Sequence, residues 1–149
     1  MARLVLAGIG NEFRSDDAAG IYTVQQIEKK SRGAAECRYF QEDILSLLPM
    51  LETGNTVIIV DAVMSGSLPG TLHRFDLSRE IPDSPGIRFS GHSFSPLDAV
   101  RLAMAYIKIP EKLILFGIEG INFGHGTAMS PEVKKAADGL AGAIHAEFL

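Results

Sequence analysis

The sequence predicts an α/β fold: one domain built as a three-layer sandwich, about five mostly parallel strands with helices on both faces. Three observations predict it. Short apolar runs alternate with longer segments whose apolar residues recur at helical spacing. The run Thr56-Val57-Ile58-Ile59-Val60 is β-branched throughout and apolar on both faces, as befits a central strand covered from two sides. Two later segments place serine and proline just ahead of a periodic apolar stretch, a helix-start signature. At 149 residues, 46% of them hydrophobic, the chain suits one core of ordinary domain size, and no repeat or linker divides residues 1–149.

Each element can be justified in order. Leu4-Val5-Leu6 reads as a short buried strand, and Gly8-Ile9-Gly10-Asn11 as the sharp turn after it. Ser15 is a natural N-cap, which puts Asp16 and Asp17 in a first helical turn, where the dipole favours negative charge. This turn is no dinucleotide fingerprint. Phe13 stands where the third glycine is needed, two acids would repel a pyrophosphate, and a Walker A sequence is absent. Ala18, Ile21, Val24 and Ile27 line one helix face, with Gly33 as a stop. Cys37 to Phe40 predicts a second strand, and Asp43 to Leu51 a short helix that Pro49 makes irregular.

The third strand, Thr56 to Val60, is expected to end at Asp61. Ser65 to Gly70 is a turn-rich loop too short for a helical crossover. The Thr71–Leu77 strand after it should therefore run antiparallel near an edge, with His73 and Phe75 on one face. From Ser78 to Ser93 prolines and glycines break any pattern, and the stretch ends in Gly91-His92-Ser93. Ser95, Pro96 and Asp98 then form a near capping box, with Leu97, Val100, Leu102, Ala103 and Ile107 as the buried stripe. Lys112 to Gly117 is a further strand that runs on to Glu119, and Gly120 to Gly126 a second glycine-rich loop that holds His125. Ser130-Pro131-Glu132 starts the last helix, whose apolar face is Val133, Ala137, Leu140, Ala141, Ile144 and Phe148; His145 there reads as structural or exposed.

Composition excludes several classes. A net charge of -4 argues against a nucleic-acid-binding surface. The single cysteine, Cys37, precludes an internal disulfide or a cysteine zinc cluster and reads as a buried, inert thiol. No apolar run approaches the ~20 residues of a membrane span. The chain opens directly on a strand without a signal-peptide pattern, so a cytoplasmic location is expected.

The Gly8–Asp17 turn, Asp61 and the Glu119–Gly126 loop all follow apparent strand ends, and parallel strands would gather them on one rim within reach of His92. Two carboxylates and an imidazole from separate segments can hold a divalent metal or act as an acid/base set, and spacing does not choose between the two. Taken singly, Asp61 could be a turn aspartate and His92 an exposed loop histidine. No serine sits in a G-x-S-x-G elbow.

Taken together, these pieces resemble the hydrogenase maturation proteases, the endopeptidases that process the large subunit of nickel–iron hydrogenases. The resemblance is carried by Gly8-Ile9-Gly10-Asn11 with Asp16-Asp17-Ala18-Ala19-Gly20, by Val60-Asp61-Ala62 with Pro69-Gly70-Thr71, and by His92 ahead of Ser95-Pro96-Leu97. It continues through Phe116-Gly117-Ile118-Glu119 to Ser130-Pro131-Glu132-Val133, in order along nearly the whole chain. The opening motif is its most specific part. The resemblance implies a metal-binding and catalytic site of Asp17, Asp61 and His92. The metal it implies is nickel supplied by the substrate precursor, though other divalent metals could occupy the site. The implied partner is the large-subunit precursor, from which a C-terminal extension is removed. One departure stands out. Where members commonly carry a glycine-threonine loop after the second strand, this chain reads Phe40-Gln41-Glu42-Asp43-Ile44. Two other readings use the same residues: a non-catalytic binder of metal or of a maturation complex, and a hydrolase or phosphorylase-like enzyme for a small molecule.

Overall fold

The computed structural model describes residues 3–41, 43–51, 56–78, 80–83, 86–89 and 94–149. Its sheet contains β1 (Leu4–Ile9), β2 (Ala35–Phe40), β3 (Thr56–Met64), β4 (Leu72–Asp76), β5 (Arg88–Phe89) and β6 (Lys112–Glu119). The order across it is β2-β1-β3-β6-β4, with β5 on β3. β2, β1, β3 and β6 are parallel, whereas β4 runs antiparallel to β6 at the edge, as the short connection before it requires. The helices are α1 (Ala19–Ser31), α2 (Leu48–Leu51), α3 (Pro96–Met104) and α4 (Pro131–Phe148).

Alternation along β3 divides the core in two. Val57, Ile59 and Val63 pack with α2 and α3, through Leu51, Leu97, Ala99 and Val100. Ile58, Val60 and Ala62 pack with α1 and α4, through Val24, Ile27, Val133, Leu140 and Ile144. Both faces of the central strands are thus buried, and each large aliphatic side chain there contributes about 1.5–3 kcal/mol through burial. The capping box at α3 is complete: Asp98 N–H donates to Ser95 Oγ at 3.2 Å, and Ser95 N–H to Asp98 Oδ2 at 2.8 Å.

Several expectations need correction. The third strand does not stop at Asp61 but continues to Met64, because β6 pairs with it as far as Val63 and β5 takes up its last two residues. That two-residue strand lies in the stretch expected to be irregular. Leu102 faces solvent at 37% exposure, since α3 ends at Met104 and its buried stripe is only one or two turns long. Neither Ser15 nor Ser130 uses its hydroxyl to cap its own helix. His92 and Glu42 lie outside the described residues.

Candidate active site

The site is a consequence of unequal strand lengths. β1 pairs with β3 only up to Gly8 opposite Val60, and β5 begins opposite Val63. Asp61 follows the last β1 pair, still registered on β6 opposite Gly117. It therefore sits where one edge of β3 is vacated at the carboxyl end of the parallel strands, the rim on which α/β proteins build sites. Asp61 is fully buried, and its Oδ1 accepts the Ala62 N–H at 2.8 Å.

The turn that carries Asp17 is pressed onto that same rim. After β1 the chain forms a 3-10 turn, Ser15–Ala18, that packs against β3 and leads into α1. Two glycines permit the approach. A Cβ on Gly10, whose φ is +144°, would lie 1.9 Å from the Asp17 carbonyl oxygen. One on Gly20 would lie 2.3 Å from the Val60 carbonyl oxygen. No side chain fits at either position, so the helix start rests on the sheet itself. Asp17 is 1% exposed. Arg14 Nη1 stands 3.9 Å from its Oδ2, and among the described residues no donor reaches its Oδ1. A buried carboxylate oxygen without a hydrogen bond is costly in isolation and is a natural ligand for a cation.

Asp16, its neighbour, is equally buried but fully engaged. Its Oδ2 accepts from Ile121 N–H at 3.0 Å, Asn122 N–H at 2.9 Å and Ser130 Oγ at 2.9 Å, and its Oδ1 from Ser130 N–H at 2.6 Å. Burial alone would raise its pKa. The amides of Asn122, Ile121 and Ser130 and the Ser130 hydroxyl outweigh burial and hold it below the usual carboxylate value. The Ser130 hydroxyl that suggested a helix cap is used here, and the start of α4 is aimed at Asp16.

Glu119 ends β6 and organises the adjacent loop. It is 2% exposed; its Oε2 accepts Ser65 N–H at 2.7 Å, and its Oε1 accepts Ser65 Oγ at 2.6 Å and His73 Nε2 at 3.0 Å. Here too burial would raise the pKa, while Ser65 and His73 bring it below the ordinary value. The sequence offered Glu119 as the end of a strand and the start of a loop, with no role of its own. The signal that could have marked it is a buried-strand glutamate beside an edge-strand histidine. His125 is exposed in the loop after β6, and His145 is half-buried on α4. Cys37 is half-buried, with burial and nearby Glu28 and Glu36 pushing its thiol up to about 11, which keeps it a protonated, unreactive group.

The structure thus brings the Asp17 turn and the Asp61 segment of β3 to one rim. His92 lies outside the described residues; the described chain stops at Phe89, paired with Val63, and resumes at Phe94.

Comparison with known proteins is consistent in sequence and in fold. The family model for hydrogenase maturation proteases matches residues 43–147. The hydrogenase expression/formation protein HupD of Rhodobacter capsulatus is 27% identical over 140 residues, which cover 91% of this chain and 66% of that relative. The chain therefore spans just under two thirds of its length. Among solved structures, the [NiFe] hydrogenase maturation protease HybD from Thermococcus kodakarensis superimposes with a TM-score of 0.79 at 24% identity, covering 97% of both chains. The hydrogenase maturating endopeptidase HybD from E. coli does so with a TM-score of 0.71 at 19% identity, over 98% of this chain and 94% of that one. At such identities the structures speak for the fold, and the sequence match carries the assignment: this chain belongs to the hydrogenase maturation protease family.

Proposed function

We propose that the protein is an endopeptidase that removes the C-terminal extension of a nickel–iron hydrogenase large-subunit precursor after nickel insertion, with the substrate's own nickel as the recognition element. Within the family assignment, the observation that carries this reading is Asp17: a buried carboxylate on the strand rim whose Oδ1 meets no donor among the described residues. Asp17 and Asp61 supply oxygen ligands and His92 an imidazole, a set suited to a divalent ion of intermediate softness. Arg14 Nη1, 3.9 Å from Asp17 Oδ2, places a positive charge beside the carboxylate. Gly10 and Gly20 hold the turn down on the sheet, so the two aspartates need no large rearrangement when substrate arrives. Asp17, Asp61 and His92 would hold the precursor's nickel beside the scissile bond, where it would supply Lewis-acid polarisation of the carbonyl or activation of a water.

One observation favours a second reading, a binder of the same partner without cleavage. Phe40-Gln41-Glu42-Asp43-Ile44 replaces the family's glycine-threonine loop. Its first residue, Phe40, accepts the Gly10 N–H at 3.0 Å, so the departure begins beside the turn that leads to Asp17.

A processing assay separates the two. Nickel-loaded and nickel-free precursor from the same organism are incubated with the wild type and with Asp17→Ala, Asp61→Ala and His92→Ala, and C-terminal cleavage is read by mass. The expected result is cleavage of the loaded precursor alone, reduced by at least about a hundredfold in each variant. Stable association without any cleavage by the folded wild type would overturn the protease reading in favour of the binder.

A further inference from the structure

The turn that carries Asp17 is bonded to the loop after β6. Ser15, two residues before Asp17, has φ +53°, a left-handed conformation that a residue with a side chain seldom adopts. Among the described residues, its long-range hydrogen bonds go to one loop. Ser15 N–H donates to Gly126 O at 2.9 Å, Ser15 Oγ to Gly124 O at 3.0 Å, and Asp16 N–H to Asn122 O at 2.9 Å. In return Gly126 N–H donates to Phe13 O at 2.9 Å, and Arg14 Nε to Phe123 O at 3.2 Å. The Asp16 carboxylate closes the arrangement by accepting from Ile121, Asn122 and twice from Ser130. Every one of these partners lies between Ile121 and Ser130. A strained backbone that persists because its surroundings over-determine it is the usual mark of a site under positional demand.

We infer that Asp16 is a positioning residue: by clamping the loop after β6 onto the 3-10 turn, it sets the direction of the Asp17 carboxylate. The inference rests on Asp17 being a reacting carboxylate in the reading above. Residues on a 3-10 turn point about 120° apart. With Asp16 fixed on the loop, Asp17 is turned away from it and towards the strand rim. Freeing Asp16 lets Ser15 relax to an ordinary conformation, and Asp17 rotates with it.

The test is Asp16→Asn in the full chain, which keeps the size and presents N–H groups to donors. Three readouts are taken: amide hydrogen exchange, the carbon resonance of the Asp17 carboxyl group, and kcat and KM on nickel-loaded precursor. The Ile121, Asn122 and Ser130 amides are expected to exchange about tenfold faster. The Asp17 resonance should shift, and kcat should fall at least about tenfold with KM held within about twofold. Ser130→Ala removes a single hydroxyl donor and should act in the same direction more weakly, which keeps the test open if the Asn variant fails to fold. Faster exchange with an unmoved Asp17 resonance and unchanged kcat would overturn the inference, since the clamp would then only hold the loop. If the wild type cleaves no precursor, the protease reading has failed on its own, and the Asp17 resonance alone decides the positioning role.

Discussion

Asp16 and Asp17 are adjacent, chemically identical and equally hidden from water, yet their situations are opposite. Asp16 accepts four hydrogen bonds and has its pKa lowered by them. Asp17 has one distant arginine and an oxygen that no described donor reaches. Burial therefore does not separate these two carboxylates; satisfaction by hydrogen bonds does. Natural proteins retain a badly satisfied buried charge where a ligand is to complete it, and the stability lost is offset elsewhere.

The contrast can be broken most directly by deleting each carboxylate and measuring stability. Asp16→Ala strands several buried donors and is expected to cost about 2–4 kcal/mol, read as a drop in the midpoint of urea unfolding. Asp17→Asn removes a poorly compensated buried charge and is expected to leave the midpoint unchanged or raise it by up to ~1 kcal/mol while cleavage is lost. Equal destabilisation by the two would end the distinction drawn here.

Acid should sharpen it. A carboxyl group with a lowered folded-state pKa adds stability above its unfolded value, and that stability is lost as pH falls through the folded value. Asp16 and Glu119 both lie below their ordinary values of 3.8 and 4.5, so thermal stability should fall off below those values. The Asp16→Asn variant should show a visibly shallower acid limb below pH 3.8. An identical limb in both proteins would mean that Asp16 is not ionised against its donors. The smallest effect expected is that of His73→Ala. It removes one of three donors to Glu119 while Ser65 keeps the other two, and should cost about 1 kcal/mol by the same unfolding measurement.

Much of this was legible in the chain itself. The β-branched run at Thr56–Val60 announced a central strand because burial on both faces leaves no polar alternation to hide it. Ser95-Pro96-Leu97-Asp98 announced α3 because capping is a local interaction. Asp61 could be nominated because it follows an apolar run, and Asp17 because it stands in the Gly8–Gly20 motif that carries the resemblance to the family. What escaped was non-local. The continuation of β3 through Asp61 depends on β6 and β5, which are distant in sequence. The Ser15 and Ser130 hydroxyls look like caps, but each is drawn to a partner more than a hundred residues away. Nothing within a window of a dozen residues encodes such a pairing.

The offset between β1 and β3 has one more consequence, which concerns what the chain can tolerate as it diverges. The register of Gly8 against Val60 works as a ruler: it fixes how far the turn bearing Asp17 stands from Asp61 along the strand direction. Each residue is a graduation of about 3.3 Å, and each single step also turns a strand's side chains to the opposite face. An insertion or deletion within Leu4–Asp17 or Thr56–Asp61 would miscalibrate the two acids at once, whereas the connection from Leu77 to Arg88 lies off this scale. Relatives should therefore differ freely in length in the latter and hold the former two spans constant.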